Sequence, residues 1–225
     1  MKKVVLAFSG GLDTSYCAIY LAKDLGYEVH SVAVNTGGFD AEEVDELAAK
    51  AKELGIEHHT CLDVEQRFYE EGIRYLLYGN VLKNHSYPLS VSAERVFQAI
   101  AIVQHAKSIG ADAIAHGSTG AGNDQVRFDL VFQIMAPEME IITPIRDLKL
   151  SREQEVNYLK EHGIHKSWEK AKYSINKGLW GTSVGGAETL SSHLALPEFA
   201  WPTPISKNES LRVELNFEKG EPVGL

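Results

Sequence analysis

Residues 6–22 read LAFSGGLDTSYCAIYLA, and the punctuation of this stretch decides the fold. An apolar run over 4–8 ends in Ser9-Gly10-Gly11. An acid follows at Asp13, hydroxyls at Thr14 and Ser15, then apolar residues at helical spacing. The reading is a buried strand, a glycine turn, and a helix over 13–25 that Gly26 is placed to stop. Two glycines admit backbone conformations and close approaches that a Cβ would block. The helix behind them offers unpaired N–H groups and the positive end of its dipole. With the hydroxyls of Ser9, Thr14 and Ser15, these groups make an anion cradle. The dipole end contributes only ~0.3–1 kcal/mol, so hydrogen bonds must carry most of the hold. The stretch is neither Gly-x-x-x-x-Gly-Lys-Ser nor Gly-x-Gly-x-x-Gly, so it lacks a lysine for a γ-phosphate and a dinucleotide fingerprint. Asp13 alone would repel a phosphate, and a cation such as Mg²⁺ is expected between the two.

Outward from this unit the alternation continues. EVHSVAVN, IEHHTCLDV, ADAIAHG and MEIITPI read as strands. Helices are expected over 41–55, 65–78 and 91–109, and Ser151 caps another in REQEVNYLKEHG. Strands separated by helices imply parallel pairing with right-handed crossovers, hence an α/β, doubly wound parallel sheet. Ligands sit at the carboxyl ends of such strands, which points to the loops at 9–15, 35–40 and 117–125. After residue 165 the chain turns rich in Gly, Ser, Thr and Pro and loses any period. It reads as irregular surface chain covering an active site, with Trp168, Trp180 and Trp201 packing it. A strand over 211–217 then enters a hairpin. Unpartnered, it would leave backbone groups and an apolar face exposed, so these residues are expected to belong to a longer protein.

Length and composition set the limits. The chain has 225 residues, 44% of them apolar, and a formal net charge of −9. That suits one nucleotide-binding domain over 1–165 and the beginning of a second domain over 166–225. The acidic balance argues against a nucleic-acid partner, which normally leaves a basic face. Cys17 and Cys61 have no metal-like spacing and read as reduced thiols of a cytoplasmic protein. MKKVVLAF imitates a signal peptide, but the apolar run stops at Ser9. No run approaches the ~18–20 apolar residues of a membrane span.

A second cluster follows the fourth strand: AHGSTGAGNDQVRFD, residues 115–129. A helix beginning near Asn123 would put Asn123 and Arg127 on one face, with Asn123 as N-cap. Arginine pairs a carboxylate through two N–H bonds and an aspartate can meet an ammonium, which suits amino-acid ligands. Alternatively Asp124 and Arg127 pair with each other. His116 reads as a packed or hydrogen-bonded residue rather than a catalyst.

SGGLDTS resembles the pyrophosphate loop of the N-type ATP pyrophosphatases, which cut ATP between the α and β phosphates. The resemblance implies an adenine nucleotide alpha hydrolase-like, Rossmann-like sheet. HGSTGAGNDQVRF resembles the signature of the argininosuccinate synthase family, and YPLSVS and YSINKGLWGTS resemble further segments of it. That family implies an ATP-dependent carbon–nitrogen ligase of arginine biosynthesis. Citrulline and aspartate would condense through a citrulline-adenylate, releasing AMP and pyrophosphate. The family also implies a cytoplasmic homotetramer, with 166–225 beginning an α+β synthetase lobe. Carried over by position, Ala7, Phe8, Ser9, Gly10, Gly11, Leu12, Asp13, Thr14, Ser15, Val34 and Gly117 would bind ATP. Asp13 would help with Mg²⁺. Tyr87, Ser92, Asn123, Arg127, Ser174 and Ser183 would hold citrulline, and Thr119, Asn123 and Asp124 would hold aspartate. No general base suggests itself. Two alternatives share the first loop: a tRNA thiolase, which needs reactive cysteines and an RNA surface, and a non-catalytic ATP-binding protein.

Overall fold

The computed structural model describes residues 1–168 and 173–225. β1 (Lys3–Ala7) passes through the glycine turn into α1 (Leu12–Lys23). β2 (Glu28–Asn35), α2 (Ala41–Glu53) and β3 (His58–Asp63) follow. A helical stretch then runs as α3 (Glu65–Phe68), a π-helical turn (Tyr69–Ile73) and α4 (Arg74–Tyr78). α5 (Ser90–Ser108) leads to β4 (Ala113–Ala115), and α6 (Asp124–Met135) to β5 (Glu140–Ile142). α7 (Pro144–Asp147) and α8 (Arg152–Glu161) complete this part.

The five strands form one parallel sheet in the order β3-β2-β1-β4-β5. Side chains alternate across a strand, so a sheet covered on both faces needs apolar residues on both. Val4, Leu6, Val29, Ala33, Ala113 and Ala115 point into one core with α1 and α2. Val5, Val32, Val34 and Ile114 point into the other with α5 and α6. The expected doubly wound α/β architecture is therefore the one observed. Local signals agree with it. Asp40 accepts from Glu43 N at 2.9 Å while Glu43 accepts from Asp40 N at 3.1 Å, a reciprocal cap that starts α2. Ser151 and Gln154 do the same for α8. Gly26 and Gly110 take φ near +65° (+68° and +63°) just past α1 and α5, a conformation that ends a helix cheaply only with glycine.

Three expectations need correction. The helix over 65–78 is interrupted by the π-helical turn. A Cβ on Gly72 would lie 2.8 Å from the Phe97 ring, so the wider turn and the glycine together admit Phe97. The fourth and fifth strands are only three residues long, because their ladders with β1 and with each other contain three pairs each. No strand spans 211–217. Asn216–Glu218 (β8) pairs with Glu221–Gly224 (β9), while Leu211, Val213 and Leu215 stay more than half exposed with no strand beside them. In the irregular region Ser174–Asn176 (β6) pairs antiparallel with Ser183–Gly185 (β7). Two 3₁₀ turns follow, Ala187–Leu190 and Glu198–Ala200. Trp180 anchors this region through a 2.6 Å bond from its Nε1 to Pro88 O, and Trp168 packs beside α1 and α8, but Trp201 is exposed. No helix among the described residues is long and apolar enough to cross a membrane.

Phe132 is fully buried between α5 and α6 and close to the His116 ring. Phe132→Ala should lower the unfolding free energy by roughly 3–5 kcal/mol, the usual cost of an emptied aromatic site, as read from urea denaturation.

Candidate active site

The connections of β1 and β4 leave the sheet on opposite sides, and the crevice between their carboxyl ends is where doubly wound sheets take ligands. Here a cleft of about 600 Å³ occupies that position. Ala7, Phe8, Ser9, Gly11, Leu12, Asp13 and Thr14 line it from the first loop, Val34 from β2, and Gly117 from the end of β4. Nine of the eleven expected ATP residues thus face one space. Gly10 and Ser15 do not. Gly10 takes φ +68° and packs on α2, where a Cβ would lie 3.0 Å from Lys50 Cδ and 3.1 Å from Leu47 Cδ2. Ser15 Oγ donates to Gly11 O at 2.8 Å, and Thr14 Oγ1 donates to the same carbonyl at 3.3 Å. In a first turn these hydroxyls back-bond to the preceding carbonyl, which corrects the expectation of free hydroxyl donors. The N-cap itself is Gly11, without a side-chain cap, so the amides at the start of α1 keep their capacity for a ligand.

Behind the loop lies a second carboxyl group. Glu155 of α8 is 3% exposed, and burial, the Asp13 charge and a hydrogen bond with Asp13 all push its pKa up. Its Oε2 is buried with no hydrogen-bond partner among the described residues. Cys17, one turn into α1, is fully buried, and burial followed by the Asp13 charge drives its thiol well above the ordinary range. Such a thiol is not a nucleophile.

Gly117 is the hinge of the site. A Cβ there would lie 3.2 Å from the Asp13 carbonyl carbon and 3.3 Å from Thr14 N, so the loop after β4 rests directly on the start of α1. His116, 1% exposed, is held below that contact. It accepts from Ser118 N at Nδ1 (3.2 Å), which assigns the proton to Nε2, facing Asp129 Oδ1 at 2.9 Å. Arg146 donates to the other Asp129 oxygen at 2.5 Å. Burial pushes the His116 pKa down against the pull of Asp129. The histidine is a packed structural residue, as its sequence position suggested.

The polar cluster of the second motif assembles beside the cleft. Arg127 donates to Asp124 Oδ1 at 2.6 Å and to Ser92 Oγ at 3.0 Å. Ser92 N donates to the Tyr87 phenol oxygen at 3.4 Å. Burial raises the Tyr87 pKa, but the hydroxyls of Ser92 and Ser90 and the amides of Ser92 and Val91 outweigh it and bring it below the ordinary value. Tyr87, Ser92, Arg127 and Asp124 therefore form one connected network. The pairing of Asp124 with Arg127, weighed above as an alternative, is present, and both side chains keep spare acceptor and donor positions. Asn123 and Thr119 are exposed on the rim and do not line the cleft. Asn123 also fails as a side-chain cap: its backbone is already helical, with φ −86° and ψ −13°. Ser174 lines the cleft, and Ser183 stands opposite Asn176 in the same small sheet.

Sequence reasoning expected an active-site cover after residue 165 but missed its anchor. Residues 174–177 of this strap line the cleft. Arg95 donates to Asp124 Oδ2 (3.1 Å), Gln98 Oε1 (2.9 Å) and Asn176 Oδ1 (2.7 Å), tying the strap to the second motif. The available signal was spacing: Ser92, Arg95 and Gln98 are polar residues three apart on a mostly apolar helix. Glu94 beside it is 1% exposed, with Oε1 unpaired among the described residues and pressed on Gly178 Cα, where any Cβ would collide.

Burial raises the Glu94 carboxyl from 4.5 to about 7, with Arg95 pulling the other way. Between these values the folded chain holds a proton that the unfolded chain has released. Stability present below pH 4.5 is therefore lost as pH rises through about 7, by about 3 kcal/mol at most. Glu94→Gln should flatten that slope in urea melts taken across the window. An unchanged slope would assign the titration to another group.

A family model for the arginosuccinate synthase N-terminal HUP domain matches residues 3–165. The argininosuccinate synthase of Methanocaldococcus jannaschii is 42% identical over 224 residues, covering 98% of this chain and 56% of that protein. That of Sulfolobus acidocaldarius is 40% identical over 223 residues, covering 98% and 56%. That of Xylella fastidiosa is 37% identical over 236 residues, covering 100% and 57%. The chain spans just over half the length of these curated relatives. With the family model matched across the whole parallel sheet, the chain belongs to the argininosuccinate synthase family.

Proposed function

We propose that this chain carries the nucleotide site, and part of the amino-acid sites, of an ATP-dependent carbon–nitrogen ligase that joins citrulline to aspartate. The observation that carries the reading is one continuous cleft running from the uncapped start of α1, past Gly117, to Asp124 and Arg95. A ureido carbon is a poor electrophile and its oxygen a poor leaving group. Transfer of AMP to that oxygen solves both problems. The ureido oxygen attacks the α-phosphorus, and the bond to the bridging oxygen breaks to release pyrophosphate. The aspartate amine then attacks the ureido carbon, and AMP leaves with the oxygen.

Each group has a role in this scheme. The amides of the first turn of α1 receive the pyrophosphate, helped by Ser9. Arg127, with Ser92 and Tyr87, takes the citrulline carboxylate, and Asp124 meets an ammonium group. Thr119 and Asn123 complete the aspartate side from the rim, and Ser174 and Ser183 approach citrulline from the strap. Holding both amino acids at near-attack distance is worth ~7–11 kcal/mol. A magnesium ion would neutralise charge on the departing pyrophosphate. Asp13 fits it, a hard oxygen ligand that faces the cleft. A buried thiol at Cys17 weighs against thiolase chemistry, and the acidic chain weighs against an RNA partner. We read residues 166–225 as the beginning of a synthetase lobe, and the assembled enzyme as a cytoplasmic homotetramer.

Citrulline labelled with heavy oxygen at the ureido group should pass that label to AMP during turnover. Label in free phosphate instead would overturn the α-phosphate scheme. Arg127→Ala should weaken citrulline binding roughly ten- to hundredfold, the loss of one charge-assisted carboxylate bond, while calorimetry shows ATP affinity unchanged.

A further inference from the structure

We propose that Glu28, His30 and His58 form a binding site for a divalent ion of the zinc class, at the end of the sheet opposite the cleft. β2 and β3 are paired in parallel with His30 opposite His58. Side chains two apart on a strand share a face, and in-register neighbours stand side by side, so the three residues make one patch. Their ligand atoms converge. His30 Nε2 lies 2.8 Å from Glu28 Oε1, and His58 Nε2 lies 3.6 Å from the same oxygen. All three atoms lie within 4.8 Å of one another. Both Nε2 atoms face one carboxylate oxygen, and the imidazoles stack nearly parallel, 8° apart with centroids at 4.4 Å, so one ring has to tilt for both lone pairs to meet at a single ion.

The geometry suits a metal better than an ion pair alone. Zinc holds nitrogen and oxygen at about 2.0–2.2 Å, which in a tetrahedron separates the ligands by roughly 3.3–3.5 Å. The two observed nitrogen–oxygen separations bracket that value. The pair of His30 with Glu28 accounts for the first separation, and stacking on His30 brings the second imidazole within 3.6 Å of the same oxygen, which places all three ligand types together. Lys3, whose charge also reaches Glu28, is turned to the Ile109 carbonyl at 3.4 Å. The His58 side chain is 52% exposed and has room to close the remaining gap, and its solvent side leaves a fourth position for water. Two imidazoles and one carboxylate select zinc, nickel or copper over magnesium or calcium. The site spans β2 and β3, and β3 is an edge strand of the sheet. A bound ion would therefore fasten that edge. The site is distinct from the cleft: five residues of β2, about 16 Å, separate His30 from Asn35, which lines it.

The test uses the full chain, stripped with a chelator and titrated with zinc chloride in the absence of nucleotide. One equivalent should bind, magnesium at hundredfold excess should not displace it, and the thermal midpoint should rise with zinc. His30→Ala and His58→Ala should each weaken binding at least tenfold and remove the thermal shift, while ATP binding in the distant cleft is retained. Should either variant lose ATP binding, and with it the evidence of folding, cobalt added to the unaltered chain provides the second reading. Paramagnetically shifted proton resonances from two histidines support the site, and their absence overturns it. Zinc binding that survives in the folded double variant, or no zinc binding by the unaltered chain, overturns it as well.

Discussion

The contact between Gly117 and the start of α1 governs the rest of the site. The backbone after β4 lies so close to Asp13 and Thr14 that a methyl group on Gly117 would fit only if they gave way by a few tenths of an ångström. One wall of the cleft is thereby the glycine loop after β1 and the other is the loop leading into α6. Whatever fixes Gly117 fixes the separation of these two loops. His116 does this from below, with its ring between Asp129 and Ser118 N and against Phe128 and Phe132. Arg146 links Asp129 to Gln125, which in turn donates to Gly120 O at 2.7 Å. Asp129 and Arg146 are here scaffolding for a backbone position.

Legibility in the sequence followed how local the determining physics was. The strand–glycine–helix unit at 6–22 was readable because each part has a short-range cause: apolar run, turn, dipole. Strand order could be read only as parallel and doubly wound, since which strand lies beside β1 depends on packing of helices far apart in sequence. Nine of the eleven residues expected at a nucleotide line the cleft, while Gly10 packs on α2 and Ser15 bonds back to its own helix. Direction at a helix start is set by neighbours one turn away, which spacing alone does not encode.

The strap was readable as a cover, but its path was not. Residues 174–180 carry no period, and their place depends on bonds to partners at positions 36, 43, 88 and 95. Arg95 was invisible as a site residue because an arginine on a helix is ordinarily a solvated one. Only the three-dimensional coincidence of Asp124, Gln98 and Asn176 gives it a function. The strand expected over 211–217 shows the converse error: the hairpin it enters is present from Asn216, but the β-favouring residues before it were read as strand although no sheet edge stands beside them.

The strap is fastened along its whole length. Leu179 N donates to Thr36 O at 2.9 Å, Lys177 pairs Glu43 at 2.7 Å, Asn176 is held by Arg95, and Trp180 is held by Pro88 O. Gly37 and Gly38 sit so close beneath it that a Cβ on either would strike Leu179 or Lys177. Fasteners distributed this way share any load on the segment, and moving it away from the cleft breaks several together. A ligand too large to slip past it would need that concerted release. The fasteners come from separate parts of the chain, Arg95 of α5, Glu43 of α2 and Thr36 after β2, so no one element sets the position of the segment.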